Sequence, residues 1–95
     1  MDILTKYIVR SNNLVWRIID GEAFLMTEDG KKVHMLNKIG TLIWQYADGS
    51  LPIKGIISKI LERFDIDEET AKKDSLDFIN KLVDMKMLTI TERSP

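Results

Sequence analysis

His34 is the only histidine in the chain, which makes it the first residue to test for acid–base or metal chemistry. Nucleophilic catalysis needs a base within reach of a serine, threonine or cysteine, and a catalytic metal needs three or more converging ligands. His34 meets neither requirement, because the chain has no cysteine and because Val33 and Met35 flank it on a predicted strand. We therefore expect no catalytic residue, no metal site and no cofactor, and we predict that the protein is not an enzyme.

The other polar residues give no catalytic pattern either. Acidic residues of the C-terminal third recur at helical spacing, which is most simply explained as a solvated helix face. These residues are Glu68, Glu69, Asp74, Asp77 and Asp84. The five glycines lie at turns or singly in or beside helices, so the sequence has no glycine-rich phosphate loop.

The bulk composition is that of one small folded domain. With 95 residues, 44% of them apolar and 31% charged, the chain can bury a modest core, and we expect residues 1–95 to form a single domain. The balance of 14 basic and 15 acidic residues creates no field that attracts nucleic acid or an anionic membrane. No apolar run approaches the roughly 20 residues of a membrane helix, and the start lacks a signal-peptide pattern. With cysteine absent, we expect a cytoplasmic location.

The first third of the sequence predicts strands. Its segments are rich in β-branched and aromatic residues and end at turn residues. Asp20-Gly21 is a two-residue hairpin signal, and Asp29-Gly30 marks the next turn. The expected result is an antiparallel meander of three strands, or of four if the first segment joins it. These segments are Ile3 to Arg10, Leu14 to Ile19, Glu22 to Thr27 and Lys31 to Leu36.

From Asn37 onward the apolar period changes from two to about 3.6, which predicts three helices. Asn37 suits the N-cap of the first helix, Gly49 suits its end, and Pro52 follows to open the second. Asp67 caps a third helix that is expected to run to about Lys86, with a short last strand after it. Apolar residues of the third helix cover an arc of roughly 200°, wider than one core face requires. The surplus is covered either by the rest of the domain or by a ligand in a groove.

The order of short motifs resembles the PqqD family, small domains also called RiPP recognition elements. Two stretches carry the resemblance, "IDGEAFLMTEDGKKVHMLNKIGTLIWQYADG" and "ISKILERFDIDEETAKKDSLDFINKLVDMKML". The family pattern has a strand ending in Leu-Asn, a helix start of the form x-x-G-x-x-I-W, an Asp-Gly stop and an aromatic-x-v-d joint into the last helix. The corresponding positions, within about residues 14–90, are Leu36-Asn37, Gly40 to Trp44, Asp48-Gly49 and Phe64 to Asp67.

The resemblance implies a winged-helix-like α+β fold, with an N-terminal antiparallel sheet followed by three helices. It also implies a function: the domain binds the leader segment of a ribosomally made precursor peptide and presents it to a modifying enzyme, often a radical SAM protein. Pyrroloquinoline quinone biosynthesis is one such pathway among several. In the family the leader adds as an extended strand beside the third strand, in the cleft between that strand and the third helix.

Carried over by position, the resemblance implies a set of peptide-binding residues. On the third strand they are Lys31, Lys32, Val33, His34 and Met35, while Leu36 is expected in the core. On the third helix, Phe78 and Leu82 are expected as pocket walls. Asp77 and Lys81 are expected as polar rim contacts, and Asp74 completes the set. Four further matching residues are expected to be structural, as cap, close-packing position, core aromatic and helix stop. They are Asn37, Gly40, Trp44 and Gly49.

Two other functions fit the same elements. Three helices and a hairpin also describe a DNA-binding winged helix, but residues 65–95 carry five basic against eight acidic side chains, whereas phosphate contacts need clustered Lys and Arg. The second is a structural subunit whose third helix is covered by another copy, so the protein is expected as a monomer or a homodimer. We expect no nucleic acid and no membrane among its partners.

Overall fold

The computed structural model describes residues 2–93 and has the α+β architecture with three helices that the sequence predicts. Within these residues, six strands form two antiparallel three-stranded sheets, with strand orders β2–β3–β4 and β5–β1–β6. A single 3-10 turn, Ile3–Thr5, precedes β1. The elements are β1 (Tyr7–Arg10), β2 (Leu14–Ile19), β3 (Glu22–Thr27), β4 (Val33–Met35), α1 (Lys38–Gln45), β5 (Asp48–Pro52), α2 (Ile53–Arg63), α3 (Glu68–Asp84) and β6 (Leu88–Thr91).

The β2–β3 hairpin turns at Asp20 and Gly21, which both have positive φ, 53° and 81°. This conformation matches the right-handed twist of the paired strands, so the predicted two-residue turn is confirmed. Along β3 the side chains alternate: Ala23 and Leu25 are fully buried, whereas Met26 is exposed. The β2–β3–β4 sheet therefore has one face on the core and one face toward solvent.

Hydrogen bonds in the β3–β4 connection set the start of β4. The Asp29 carboxylate accepts from the Thr27 hydroxyl at 2.6 Å and from the Lys31 backbone N–H at 2.9 Å. These bonds, the one from Thr27 first, hold the pKa of Asp29 below its ordinary range. Lys31 and Lys32 lie in this connection, so β4 is Val33–Met35 and shorter than the predicted segment.

The passage from β4 into α1 needs no loop because three polar contacts anchor it. The Leu36 N–H donates to the Ala23 carbonyl at 2.8 Å, and the Ala23 N–H donates to the Thr41 hydroxyl at 2.8 Å. Asn37 Oδ1 accepts from the Gly40 N–H at 2.8 Å, which confirms Asn37 as the N-cap. Leu36 is 6% exposed, so its predicted core position is also confirmed.

The prediction that Gly49 ends the first helix is wrong. The helix ends at Gln45, and Gly49, with a φ of 80°, lies inside β5. Strand β5 pairs with β1, matching Tyr7 with Pro52 and Val9 with Asp48 across a shifted register. The left-handed glycine fits a bulge of this kind, because the strand must accommodate an irregular step.

Helix α3 forms one side of the domain. Asp67 caps its first turn by accepting from the Thr70 N–H at 3.0 Å and the Thr70 hydroxyl at 2.7 Å, as predicted for this residue. At about 1.5 Å per residue its 17 residues span roughly 25 Å. It ends in a Schellman arrangement, with Lys86 at a φ of 62° and the Met87 N–H donating to the Leu82 carbonyl at 2.8 Å.

All three helices and both sheets contribute to one core. The largest side chains buried there are Ile8, Leu25, Ile43, Trp44, Ile53, Ile56, Ile60 and Ile79. Trp44 is 0% exposed, which confirms it as a core aromatic. This core holds β4 and α3 in fixed positions on either side of the N-terminus of α1.

Candidate functional site

The outer edge of β4 has unpaired backbone groups. Lys32 and Leu36 direct their backbone toward β3, since the Lys32 carbonyl accepts from Thr27 N–H at 3.1 Å and the Leu36 N–H bonds Ala23. Backbone direction alternates along an antiparallel strand, so the N–H and C=O groups of Val33 and Met35 point to the opposite side. Strand β4 is at the end of its sheet, and no other strand within residues 2–93 pairs with that side. This edge can accept an additional strand.

Next to this edge lies a groove between β4 and α3, here called the β4–α3 cleft, with a volume of about 180 Å³. A space of this size has room for a side chain of a bound peptide. Its floor includes Leu82, which is 2% exposed. The residues that line the cleft are His34, Met35, Leu36, Asn37, Phe78, Lys81, Leu82 and Met85.

Phe78 stands where the β4–α3 cleft meets a smaller groove. That groove, of about 90 Å³, is lined by Asn37, Ile39, Gly40, Ile43, Asp74 and Phe78. A Cβ atom on Gly40 would lie 2.9 Å from Phe78 Cε1, closer than carbon atoms pack. The close-packing position predicted for Gly40 is therefore confirmed, and the missing side chain lets the Phe78 ring rest on α1. Phe78 and Asn37 belong to both grooves, so the two form one channel along α3.

Two polar groups on different walls of the cleft have no partner among the residues that the structure describes, a ring nitrogen of His34 and the ammonium group of Lys81. His34 shares a face of the sheet with buried Leu25, its register partner, so its ring points inward. The Nε2 atom of His34 is inaccessible to solvent and has no hydrogen-bond partner. Lys81 lines the opposite wall, and neither of the ion pairs found within residues 2–93 includes it.

The structure brings most of the predicted peptide-binding residues to this channel. His34, Met35, Phe78, Lys81 and Leu82 line the cleft, and Asp74 lines the adjoining groove. The remaining predicted residues lie beside the channel without lining it: Lys31, Lys32, Val33 and Asp77 are all exposed. Sequence reasoning did not include Met85, although its spacing of seven residues from Phe78 places both on one helix face.

The side of the β2–β3–β4 sheet away from the core forms a second apolar surface, here called the outer face. Val33 and Met35 project there and are 58% and 63% exposed. A depression of about 240 Å³ on this face is lined by Val15, Trp16, Arg17, Ile19, Phe24, Met26 and Val33. Contiguous apolar surface of this kind is typical of interaction sites. In the part of the chain that the structure describes, apolar surface thus lies on both sides of β4.

The remaining polar residues assemble no metal site. Between residues 2 and 93, no three His, Asp or Glu side chains come close enough together to hold a metal ion. Over the same range, no helix has the length and apolar character needed to cross a membrane.

Comparison with known proteins finds one match to the sequence and one to the fold. The family model for coenzyme PQQ synthesis protein D (PqqD) matches residues 22–88. Among solved structures, the chain is similar to TbiB1 in complex with the TbiA(beta) leader peptide, with a TM-score of 0.75 and 24% identity. The similarity covers 84% of this chain and 93% of the TbiB1 chain, and at this identity it shows a common fold. No curated protein sequence matches the chain.

Proposed function

The chain belongs to the PqqD family, and from this premise we propose that it binds the leader segment of a ribosomally made precursor peptide without catalysing a reaction itself. The leader adds as a strand to the free edge of β4, and its inward side chains enter the β4–α3 cleft. The domain presents the bound precursor to a modifying enzyme, such as a radical SAM protein. Pyrroloquinoline quinone biosynthesis is one pathway that fits.

The observation that carries this proposal is an unpaired strand edge beside a groove that has apolar side chains on its α3 wall. Strand addition needs both parts, because backbone pairing supplies affinity for any extended peptide and the side-chain pockets supply specificity. Val33 and Met35 offer the backbone groups, while Phe78, Leu82 and Met85 offer the apolar walls. TbiB1, which shares this fold, was solved in complex with a leader peptide, and this supports leader binding by the present chain.

The geometry also suggests how binding prepares the precursor for modification. A strand docked on β4 immobilises the leader alone, and the rest of the precursor leaves the edge of the sheet as a tether. Tethering raises the effective concentration of the segment to be modified at an enzyme bound to the same domain. A cytoplasmic location, where precursor and enzyme are made, is part of this proposal.

The competing DNA-binding hypothesis has little support. Residues 65–95, which contain α3, have an excess of acidic over basic side chains. Along α3 and its C-cap, Phe78, Leu82 and Met85 line the cleft beside a single lysine. A recognition helix instead needs several basic and polar side chains that can reach phosphates and base edges.

An amide chemical-shift titration of the ¹⁵N-labelled domain tests the proposal. The ligand is the leader of the short precursor encoded nearest the gene, and a duplex DNA serves as the control ligand. Leader binding should shift the amides of residues 31–36 and of α3, and DNA should leave them in place. If the leader causes no shifts at millimolar concentration while DNA does, the proposed function is wrong.

A further inference from the structure

His34 Nε2 is a buried nitrogen of the β4–α3 cleft that lacks a hydrogen-bond partner. A buried polar atom without a partner destabilises a structure relative to the same atom when satisfied. An atom of this kind that lines a ligand groove is well placed to be satisfied by the ligand. A bound peptide can satisfy His34 by bringing a polar group to it.

Lys81 is a positively charged residue of the same cleft and has no ion-pair partner in the described part of the chain. It lies on the α3 wall of the same cleft and is exposed. The nearest acidic residues along its helix are Asp77 and Asp84, four residues before and three after it, and neither forms an ion pair with it. The cleft therefore contains a ring nitrogen without a hydrogen-bond partner and an ammonium group without an ion-pair partner.

Strand addition determines which peptide residue meets these two groups. Side chains directly opposite on neighbouring strands have Cβ atoms about 4.5–5.5 Å apart and point to the same face. The leader residue opposite His34 must therefore point into the cleft, between His34 and Lys81. The next inward residue is two positions away, opposite Leu36, where Phe78 meets Asn37. This spacing holds whether the leader runs parallel or antiparallel to β4.

We propose that His34 and Lys81 form a carboxylate subsite, so that the leader must carry an Asp or Glu two residues from an apolar side chain that packs on Phe78. This inference rests on the proposed function and specifies which peptides the domain selects. When the leader docks, the His34 ring turns its Nε2–H into the cleft, where one carboxylate oxygen accepts from it and the other accepts from Lys81 Nζ. Such charge-assisted bonds are stronger than neutral ones.

A carboxylate fits these two groups better than a hydroxyl or an amide. A neutral side chain can satisfy His34 but leaves the charge of Lys81 without a counter-charge beside the apolar walls of Phe78, Leu82 and Met85. Attraction between opposite charges is stronger next to such walls than in open water. Because Asp77 and Asp84 reduce the positive field around Lys81, this attraction acts at short range, where the carboxylate is bonded directly to the ammonium group.

Selection from a random peptide library tests the subsite without knowledge of the natural leader. Phage carrying random 12-residue peptides are selected on the full-length wild-type domain, on Lys81→Glu and on Lys73→Glu. The last is a matched control, since Lys73 is an exposed lysine on the same helix that does not line the cleft. The best wild-type peptide is then synthesised with its acidic residue as Glu and as Gln, and their affinities are measured for wild type, His34→Phe and Lys81→Met.

The expected wild-type pool carries an Asp or Glu two positions from an apolar residue, and the Lys73→Glu pool is the same. The Lys81→Glu pool should lose the acid and gain Lys or Arg there. Replacing Glu by Gln in the peptide should weaken wild-type binding at least fivefold but Lys81→Met binding less than twofold. Enriched peptides without an acid at this position would overturn the subsite and leave the proposed function standing. A library that yields no binder on any variant would contradict both.

Discussion

Replacing Met35 by proline tests strand addition at the level of a single N–H group. The Met35 N–H points away from β3, so its loss breaks no hydrogen bond of the β2–β3–β4 sheet. Proline is tolerated on edge strands at this kind of position, and we expect the free energy of unfolding to change by less than about 1 kcal/mol. A docked leader, in contrast, loses the bond from this N–H and meets the proline ring at the shared edge.

The size of the effect follows from the cost of an unmade hydrogen bond. A leader carbonyl left without a partner in the complex costs about 1–3 kcal/mol. At about 1.4 kcal/mol per factor of ten, this predicts an affinity about 5- to 150-fold weaker for Met35→Pro than for wild type. The matched control is Met35→Ala, which keeps the N–H and shortens the side chain, and which should lose much less affinity than Met35→Pro.

Fluorescence anisotropy with a labelled leader peptide measures these affinities, and urea denaturation of each variant verifies that the fold is intact. Wild-type affinity in a folded Met35→Pro variant would refute the assignment of the leader to the outer edge of β4. An equal loss of affinity in Met35→Ala would instead place the contact on the side chain.

Three further predictions concern the cleft wall, the end of α3 and the carboxylates. Phe78→Ala should weaken leader binding by about 1–3 kcal/mol in a folded domain, measured by anisotropy, because a half-buried aromatic anchor is lost; Ile79→Ala, at a fully buried position, should instead lower stability by about 2–5 kcal/mol. Lys86→Gly should raise the free energy of unfolding, measured by urea denaturation, by about 1 kcal/mol, since glycine has no steric penalty at positive φ. Its control, Lys73→Gly inside the helix, should lower the free energy of unfolding by about as much. Acidification should destabilise the domain. Carboxyl groups whose pKa is lowered on folding stabilise the folded state at any pH above the ordinary aspartate pKa. This stabilisation is lost as the pH falls below about 4 and passes through the lowered pKa values of the folded state. Urea midpoints between pH 6 and pH 2 measure this loss, and a midpoint that rises on acidification would contradict it. The carboxyl groups concerned are those of Asp29, Asp48 and Asp67.

Local sequence signals predicted the parts of the site that depend on near neighbours. The Asn37 cap, the Asp20-Gly21 turn and the Asp67 cap are set by contacts within a few residues, and each is found in the structure. The pattern of strands and helices predicted the α+β class. The cleft between β4 and α3 followed from the family resemblance, since no local pattern shows which elements meet.

The second sheet could not be read from the sequence. Strand β5 contains Asp48, Gly49 and Pro52, residues that are poor strand formers, and it pairs with β1 about 40 residues earlier in the chain. Non-local pairing therefore outweighs local propensity there. The unsatisfied His34 nitrogen was equally hidden, because its burial depends on α3 packing across the sheet face.

Backbone hydrogen exchange at β4, followed by NMR with and without bound leader peptide, tests the central claim most directly. The amides of Val33 and Met35 point to the free edge, whereas the Leu36 amide already bonds Ala23 at 2.8 Å. Strand addition predicts that leader binding slows exchange at Val33 and Met35 much more than at Leu36. Tight leader binding with unchanged exchange at Val33 and Met35 would contradict docking on β4.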